Sequence, residues 1–187
     1  MAKLVILLAG MPGAGKSVVS SLAKDMGIAV VSMGDIVREE TERRGLEPSM
    51  TNMLRVADEL RRIYGPHAIA LLTLEKLHNI STCIAMVDGV RSIEEVEYFK
   101  QNLNCEVMIL AIHASPRTRF ERLIKRGRPD DPKSWDEFRK RDMKELAWGL
   151  GSVIALADIM VVNEGRLEEF ISTVRNILRQ VLRKWCT

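Results

Sequence analysis

Five stretches of the chain are almost wholly apolar: residues 3–9, 28–31, 83–87, 106–112 and 158–162. They are short and continuously hydrophobic, the pattern of strands buried on both faces of a parallel sheet. Between them, apolar positions recur in steps of three and four. This spacing predicts helices over 16–26, 35–45, 50–64, 66–78, 92–102, 116–126, 134–148 and 166–184. Alternating strands and helices need crossover connections, so the pattern predicts an α/β domain with helices on both faces of its sheet. Ligands of such a sheet bind at the carboxyl ends of its strands, where the loops after the first three strands converge.

Two segments interrupt the alternation. Residues 34–78 place three helices between the second and third strands, more than one crossover needs. Residues 127–134, Gly-Arg-Pro-Asp-Asp-Pro-Lys-Ser, form a charged loop bounded by prolines. Insertions of this kind on a rigid sheet are where substrate covers sit. The last helix carries Leu167, Ile171, Val174, Leu178, Val181 and Trp185 on one stripe. The stripe suits packing on the sheet, and as a short heptad seam it also allows a homodimer through this helix.

The first strand runs straight into Gly10-Met11-Pro12-Gly13-Ala14-Gly15-Lys16-Ser17, which fits the phosphate-binding pattern of Gly, four residues, Gly-Lys-Ser. The spacing has a physical basis. Gly10, Gly13 and Gly15 allow backbone conformations that aim successive N–H groups inward, and the next helix adds the positive end of its dipole. Lys16 then reaches the β- and γ-phosphates of a nucleoside triphosphate, and the Ser17 hydroxyl ligates Mg²⁺. The nucleotide-binding stretch is Gly10, Pro12, Gly13, Ala14, Gly15, Lys16, Ser17 and Val18.

Composition narrows the setting. At 187 residues and 47% hydrophobic, the chain is most simply one domain with an adequate core. Cys83, Cys105 and Cys186 lie far apart without a C-x-x-C pair, so free thiols and a reducing cytoplasm are expected. Leu4–Ala9 is too short for a signal-peptide core, and no stretch has the length of a membrane span. The net charge of +3 is uneven: Ser115–Lys144 holds eleven Lys/Arg against six Asp/Glu. With only Phe120, Trp135 and Phe138 among them and a P-loop already supplying polyanionic ligands, these cations fit phosphate clamping better than nucleic-acid binding.

Two further residues carry chemistry. Asp88, ending the third strand in Val-Asp-Gly, is expected to hold Mg²⁺ beside Ser17, through water in the way hard cations keep part of their shell. Arg91, three residues on, lies at the top of the sheet, where a guanidinium grips a second phosphate bidentately.

The P-loop, Gly34-Asp35-Ile36-Val37-Arg38, Asp88-Gly89-Val90-Arg91 and Arg128-Pro129-Asp130-Asp131 together resemble nucleoside monophosphate kinases, above all adenylate kinase. The chain is also similar to an archaeal family of adenylate-kinase-related and dephospho-coenzyme-A-kinase-like proteins. That similarity extends to Ala157-Asp158 and Val162-Asn163-Glu164-Gly165. The resemblance implies a three-layer P-loop fold with a five-stranded parallel sheet in the order 2-3-1-4-5. It also implies a core over 1–33 and 79–187, an acceptor-binding insertion over 34–78 and a lid near 127–140. By position, Arg38 with Asp35 and Arg91 would meet the acceptor. Arg122 and Arg126 would hold adenine and triphosphate oxygens, with Asn163 in the same ATP site. Arg128 and Arg139 would be lid arginines acting with Lys16 and Asp88 in catalysis, with Arg141 able to substitute.

The implied activity is transfer of the γ-phosphoryl of Mg·ATP to a nucleoside or deoxynucleoside monophosphate. Asp35 keeps a second acceptor class open. A hydroxyl acceptor needs a base, and dephospho-coenzyme-A kinases have an Asp after this strand, whereas a monophosphate acceptor needs none and leaves Asp35 as an early-helix acid. A third reading is a nucleotide-responsive binding protein or slow NTPase. A GTPase is disfavoured by the lack of an Asn-Lys-x-Asp sequence.

Overall fold

A computed structural model describes residues 2–128 and 131–186; Pro129 and Asp130 of the charged loop lie outside the described residues. Strands β1 (Leu4–Ala9), β2 (Ala29–Ser32), β3 (Ile84–Asp88), β4 (Glu106–His113) and β5 (Ile159–Val162) form one parallel sheet. Their order is β2-β3-β1-β4-β5, as the resemblance implied. β1 is central, with Leu8 in register with Asp88 on one side and with Leu110 on the other. The P-loop therefore emerges in the middle of the sheet, beside the acidic end of β3.

Alternation along β1 divides the core into two. Val5, Leu7 and Ala9 face a layer containing α2 (Met33–Arg43), α3 (Met50–Tyr64), α4 (Ala68–His78), α5 (Ile93–Asn102) and α8 (Leu150–Ala155). Leu4, Ile6 and Leu8 face α1 (Lys16–Asp25) and α9 (Leu167–Trp185). Because both faces are covered, every position of β1 is buried, which is why the strand reads as an unbroken apolar run. α6 (Pro116–Arg126) and α7 (Trp135–Ala147) both contribute side chains to the cavity that the loop after β1 lines.

Most of the α9 stripe is used within the chain: Val174, Leu178 and Val181 are buried against the sheet and α1, with Ile171 and Trp185 partly buried beside them, whereas Leu167 is exposed and Phe170 takes the buried place in that first turn. Two elements differ from the sequence reading. α2 starts at Met33 rather than 35, because the Ser32 hydroxyl accepts from the Asp35 N–H at 3.1 Å and caps the helix. α8 was not expected; Gly149 and Gly151 mask its apolar spacing, yet Leu150 and Val153 are buried in the core.

The expectation of three free thiols is corrected. Cys83, just before β3, and Cys186, just after α9, form a disulfide with Cα atoms 5.8 Å apart, leaving Cys105 free. Their separation of 103 residues hid the pair, because only the tertiary fold brings the end of α9 to the start of β3. No helix among the described residues is long and apolar enough to cross a membrane.

Candidate functional site

The P-loop turns directly into α1, with Gly15 as the helix N-cap at φ +114°. Gly10 and Gly13 also have positive φ. Packing reinforces the choice at Gly13 and Gly15. A Cβ on Gly13 would lie 2.7 Å from the Arg119 carbonyl oxygen, and one on Gly15 would lie 2.5 Å from Asn163 Nδ2. Lys16 Nζ donates to the Gly10 carbonyl at 2.5 Å and to that of Met11 at 3.5 Å. Burial lowers the Lys16 pKa, and Asp88 and Glu145 act in the opposite direction by favouring its charged form. Ala14 is buried, and its carbonyl accepts from Asn163 Nδ2 at 2.8 Å, tying the loop after β5 to the P-loop.

Asp88 sits across from the start of α1. Its Oδ2 accepts from the Ser20 hydroxyl at 2.7 Å, one turn along from Ser17. Ser17 and Asp88 line the same cavity. Their hydroxyl and carboxylate oxygens are hard donors that fit Mg²⁺, an ion that takes one or two protein oxygens and completes its shell with phosphates and water. Among the described residues, no group of three His, Cys, Asp or Glu side chains could form an all-protein metal cage.

Arg91 is held by a chain of buried charges. Its Nε donates to Glu145 Oε2 at 2.8 Å and its backbone N–H to Glu95 Oε2 at 2.7 Å. Glu95 Oε1 in turn accepts from Arg61 Nη2 at 3.0 Å. Glu145 and Glu95 are 3% and 0% exposed, and the Glu145 charge raises the Arg91 pKa above its ordinary value. With Nε committed, the outer edge of the guanidinium is left to meet an anion.

α6 and α7 supply the other cations. Arg122 Nη2 donates to the Asn163 carbonyl at 3.0 Å, whereas its buried Nη1 has no protein partner. Arg126 donates to both oxygens of Asp131, at 2.9 and 2.5 Å, and Asp131 also accepts from the Arg128 N–H at 2.9 Å. Burial raises the Asp131 pKa, but the Arg126 and Arg128 hydrogen bonds and the Arg126 and Arg141 charges outweigh it, so the net shift is downward.

These groups enclose a cavity of about 500 Å³. Gly10, Pro12, Gly13, Gly15, Lys16, Ser17 and Val18 line one side, with Asp88 and Arg91 opposite. Arg122, Arg126, Arg128, Arg141 and Asn163 complete the wall. The structure thus brings together most of the residues marked by the sequence, but not all. Arg139 is exposed on α7 and does not line the cavity, whereas Arg141 does. Asp35 and Arg38 sit on α2, 67% and 42% exposed and 3.9 Å apart, and line none of the main cavities. Of the three loops expected to converge, those after β1 and β3 line this cavity and that after β2 does not, while the loop after β5 contributes to the wall unexpectedly.

A second, narrow pocket opens beside the first. Gly34, Val37, Met50, Met53, Leu54 and Ala57 form its insertion side, and Trp148 stands opposite. Arg91, Arg141 and Glu145 line both spaces, so the two meet there. Sequence reading missed Ser20, Arg119, Glu145 and Trp148. Only the Glu145–Trp148 spacing, one helical step, hinted that the two share a face.

Comparison with known proteins agrees with this architecture. A family model described as AAA domain (AAA_17) matches residues 9–139. The UPF0200 protein of Hyperthermus butylicus is 53% identical, with 96% of this chain and 95% of that protein aligned. That of Staphylothermus marinus is 48% identical, covering 96% and 94%. Among solved structures, TT1252 from Thermus thermophilus superposes with a TM-score of 0.66 at 18% identity, covering 96% and 98%. Shikimate kinase from Bacteroides thetaiotaomicron gives 0.60 at 17%, with the same coverage. At these identities the solved structures establish the shared fold.

Proposed function

We propose, for a chain that belongs to the UPF0200 family and carries an AAA-domain P-loop, that it transfers the γ-phosphoryl of ATP to a nucleoside or deoxynucleoside monophosphate. The kinase-like P-loop fold supports nucleotide-dependent phosphotransfer, and the acceptor class is our reading of the pockets. The observation that supports it is the junction of the two pockets. A polar cavity for a triphosphate meets a narrow apolar pocket at Arg91 and Arg141. An acceptor seated there presents its phosphate to two guanidinium groups and its base to methionine and leucine side chains.

Each residue has a role that phosphoryl transfer requires, since the reaction depends on positioning and on stabilising spread negative charge. The P-loop amides and Lys16 hold the β- and γ-phosphates. Arg122 directs its unpaired Nη1, with Asn163 bracing it, toward the nucleotide. Arg128 and Arg141 neutralise the moving group, with residues 127–140 as the lid and 34–78 as the acceptor-binding insertion. Ser17 and Asp88 would hold Mg²⁺, which when bound neutralises phosphate charge. Closure over the cavity keeps water from the γ-phosphoryl. Arg38 and Asp35 serve the acceptor's approach from outside the pocket, and Arg139 serves the closed lid.

A hydroxyl acceptor is the second reading, favoured by solved neighbours that are shikimate kinases. It needs a base. Asp35 is largely exposed and lines neither pocket, and Glu145 already accepts from Arg91. This arrangement favours the monophosphate. A cytoplasmic setting suits these substrates, and the disulfide does not oppose it: hyperthermophilic archaea keep disulfides inside the cell, and another relative is from Pyrococcus abyssi.

The test is ATP consumption with each ribo- and deoxynucleoside monophosphate, dephospho-coenzyme A and shikimate. Stimulation by one or more monophosphates is expected. Stimulation only by dephospho-coenzyme A or shikimate would move the protein to the hydroxyl class. Steady hydrolysis indifferent to every acceptor would make it an NTPase or nucleotide-responsive binding protein.

A further inference from the structure

The narrow pocket is not built by the insertion alone. Its far wall is Trp148, which follows α7 and lies ninety residues from the α3 side chain to which it is anchored. Trp148 Nε1 donates to Asp58 Oδ1 at 3.1 Å, while Lys144 Nζ donates to Asp58 Oδ2 at 2.6 Å. The Arg61 guanidinium lies 4.5 Å from the indole centroid. These contacts set the orientation of the ring, because an indole has one N–H and here it is committed. The three cations near the ring are held by carboxylates, Arg61 by Glu95, Lys144 by Asp58 and Arg91 by Glu145.

We infer that Trp148 is the specificity-determining wall of the acceptor pocket, admitting a monophosphate that carries a flat heteroaromatic base and rejecting one that carries a sugar alone. The inference rests on the kinase reading above and names the part of the acceptor that the pocket recognises. Its physical basis is size and surface. The pocket is narrow and its insertion side is apolar, built by Val37, Met50, Met53, Leu54 and Ala57, so it favours a thin apolar group over a bulky, hydrated one. Between Met53, Leu54 and the indole, a planar ring gains apolar and aromatic contact. A sugar without a base has no flat apolar face to place there and gains little of that contact. The distance from that wall to the phosphate clamp is set by one helical turn, because Glu145, which holds Arg91, and Trp148 lie three residues apart.

The experiment uses the full chain with Trp135→Phe and Trp185→Phe, so that Trp148 is its sole indole. Neither replaced side chain lines the two pockets. Fluorescence is titrated with nucleoside monophosphates and with ribose 5-phosphate, and ATP consumption is followed in parallel. Saturable change with base-bearing monophosphates and none with ribose 5-phosphate is expected. In the otherwise wild-type chain, Trp148→Ala raises the KM for the base-bearing acceptor about tenfold, and Trp148→Phe restores most of it.

If monophosphates stimulate ATP consumption but leave the Trp148 signal unchanged, or ribose 5-phosphate changes it equally, this inference is overturned and the kinase reading stands. If monophosphates change the signal without stimulating consumption, the wall is supported and the kinase reading fails. No change and no stimulation overturns both.

Discussion

Arg119 and Asp142 are joined by two parallel hydrogen bonds, Nη1 to Oδ1 at 2.8 Å and Nη2 to Oδ2 at 2.6 Å. The pair is buried and bridges α6 to α7. Arg119 Nη1 also donates to the Pro12 carbonyl at 3.2 Å, and Nε to the Ala114 carbonyl at 3.1 Å, with the Phe138 ring 4.9 Å from the guanidinium carbon. One side chain therefore connects the P-loop to both cation-bearing helices. Removing the carboxylate by Asp142→Ala leaves a buried guanidinium without its counter-charge, which costs about 3–5 kcal/mol. Urea denaturation monitored by circular dichroism measures it; a loss below about 1 kcal/mol, the scale of an exposed pair, would show the bridge to be dispensable.

The arginines divide by position. Arg91 lines both pockets with its Nε fixed by Glu145, so Arg91→Lys keeps the charge but loses the planar fork. The expected result is an acceptor KM raised about tenfold with the KM for ATP little changed, a loss of the size a charge-assisted hydrogen bond carries. Arg38→Ala, on an exposed side chain, has a smaller effect on the same KM. Arg139→Ala has the least. Steady-state kinetics on the three variants rank them, and a larger effect at Arg38 than at Arg91 would relocate the acceptor site onto α2.

Acid should reach the Arg126–Asp131 contact late. The Asp131 pKa is depressed in the fold below its ordinary value of 3.8. A depressed carboxylate contributes stability that is fully present above its unfolded pKa and is lost as pH falls through the folded one. Wild type is thus expected to exceed Asp131→Asn in stability at neutral pH, with the gap closing only below pH 3.8. Denaturation across an acid series checks this; a gap already closed at higher pH would mean that the Arg126–Asp131 contact does not persist in solution.

The Cys83–Cys186 bond closes a loop of 103 residues, for which the chain-entropy model gives about 4–5 kcal/mol. Reduction with dithiothreitol, or Cys186→Ser, is expected to lower the melting temperature while leaving nucleotide binding intact, because the bond lies away from the P-loop end of the strands. Calorimetric scans with and without reductant measure it. Equal melting temperatures would show that the bond contributes nothing to stability.

Much of the fold was legible because its signals are local. Unbroken apolar runs located all five strands, and three glycines with Lys16 and Ser17 marked the loop after the first. What stayed hidden depends on distance. Cys83 and Cys186 meet only through the packed sheet, and Arg119 looks like any cation of a basic helix until Asp142 and Pro12 close around it. Arg139 and Arg141 could not be ranked from spacing alone. Two residues apart on a helix they point about 200° apart, and only the tertiary fold decides which faces the cavity. Trp148 was silent because neither it nor Asp58 belongs to a motif.

Binding of Mg·ATP to the intact wild-type protein, followed by isothermal titration calorimetry, is the most direct measurement of all. One saturable site is expected, with Lys16→Ala folded but binding more weakly and transferring no phosphoryl group, since the P-loop lysine is the side chain that reaches the β- and γ-phosphates. Wild-type protein that is demonstrably folded yet takes up no Mg·ATP would contradict the assignment of the P-loop cavity and everything built on it.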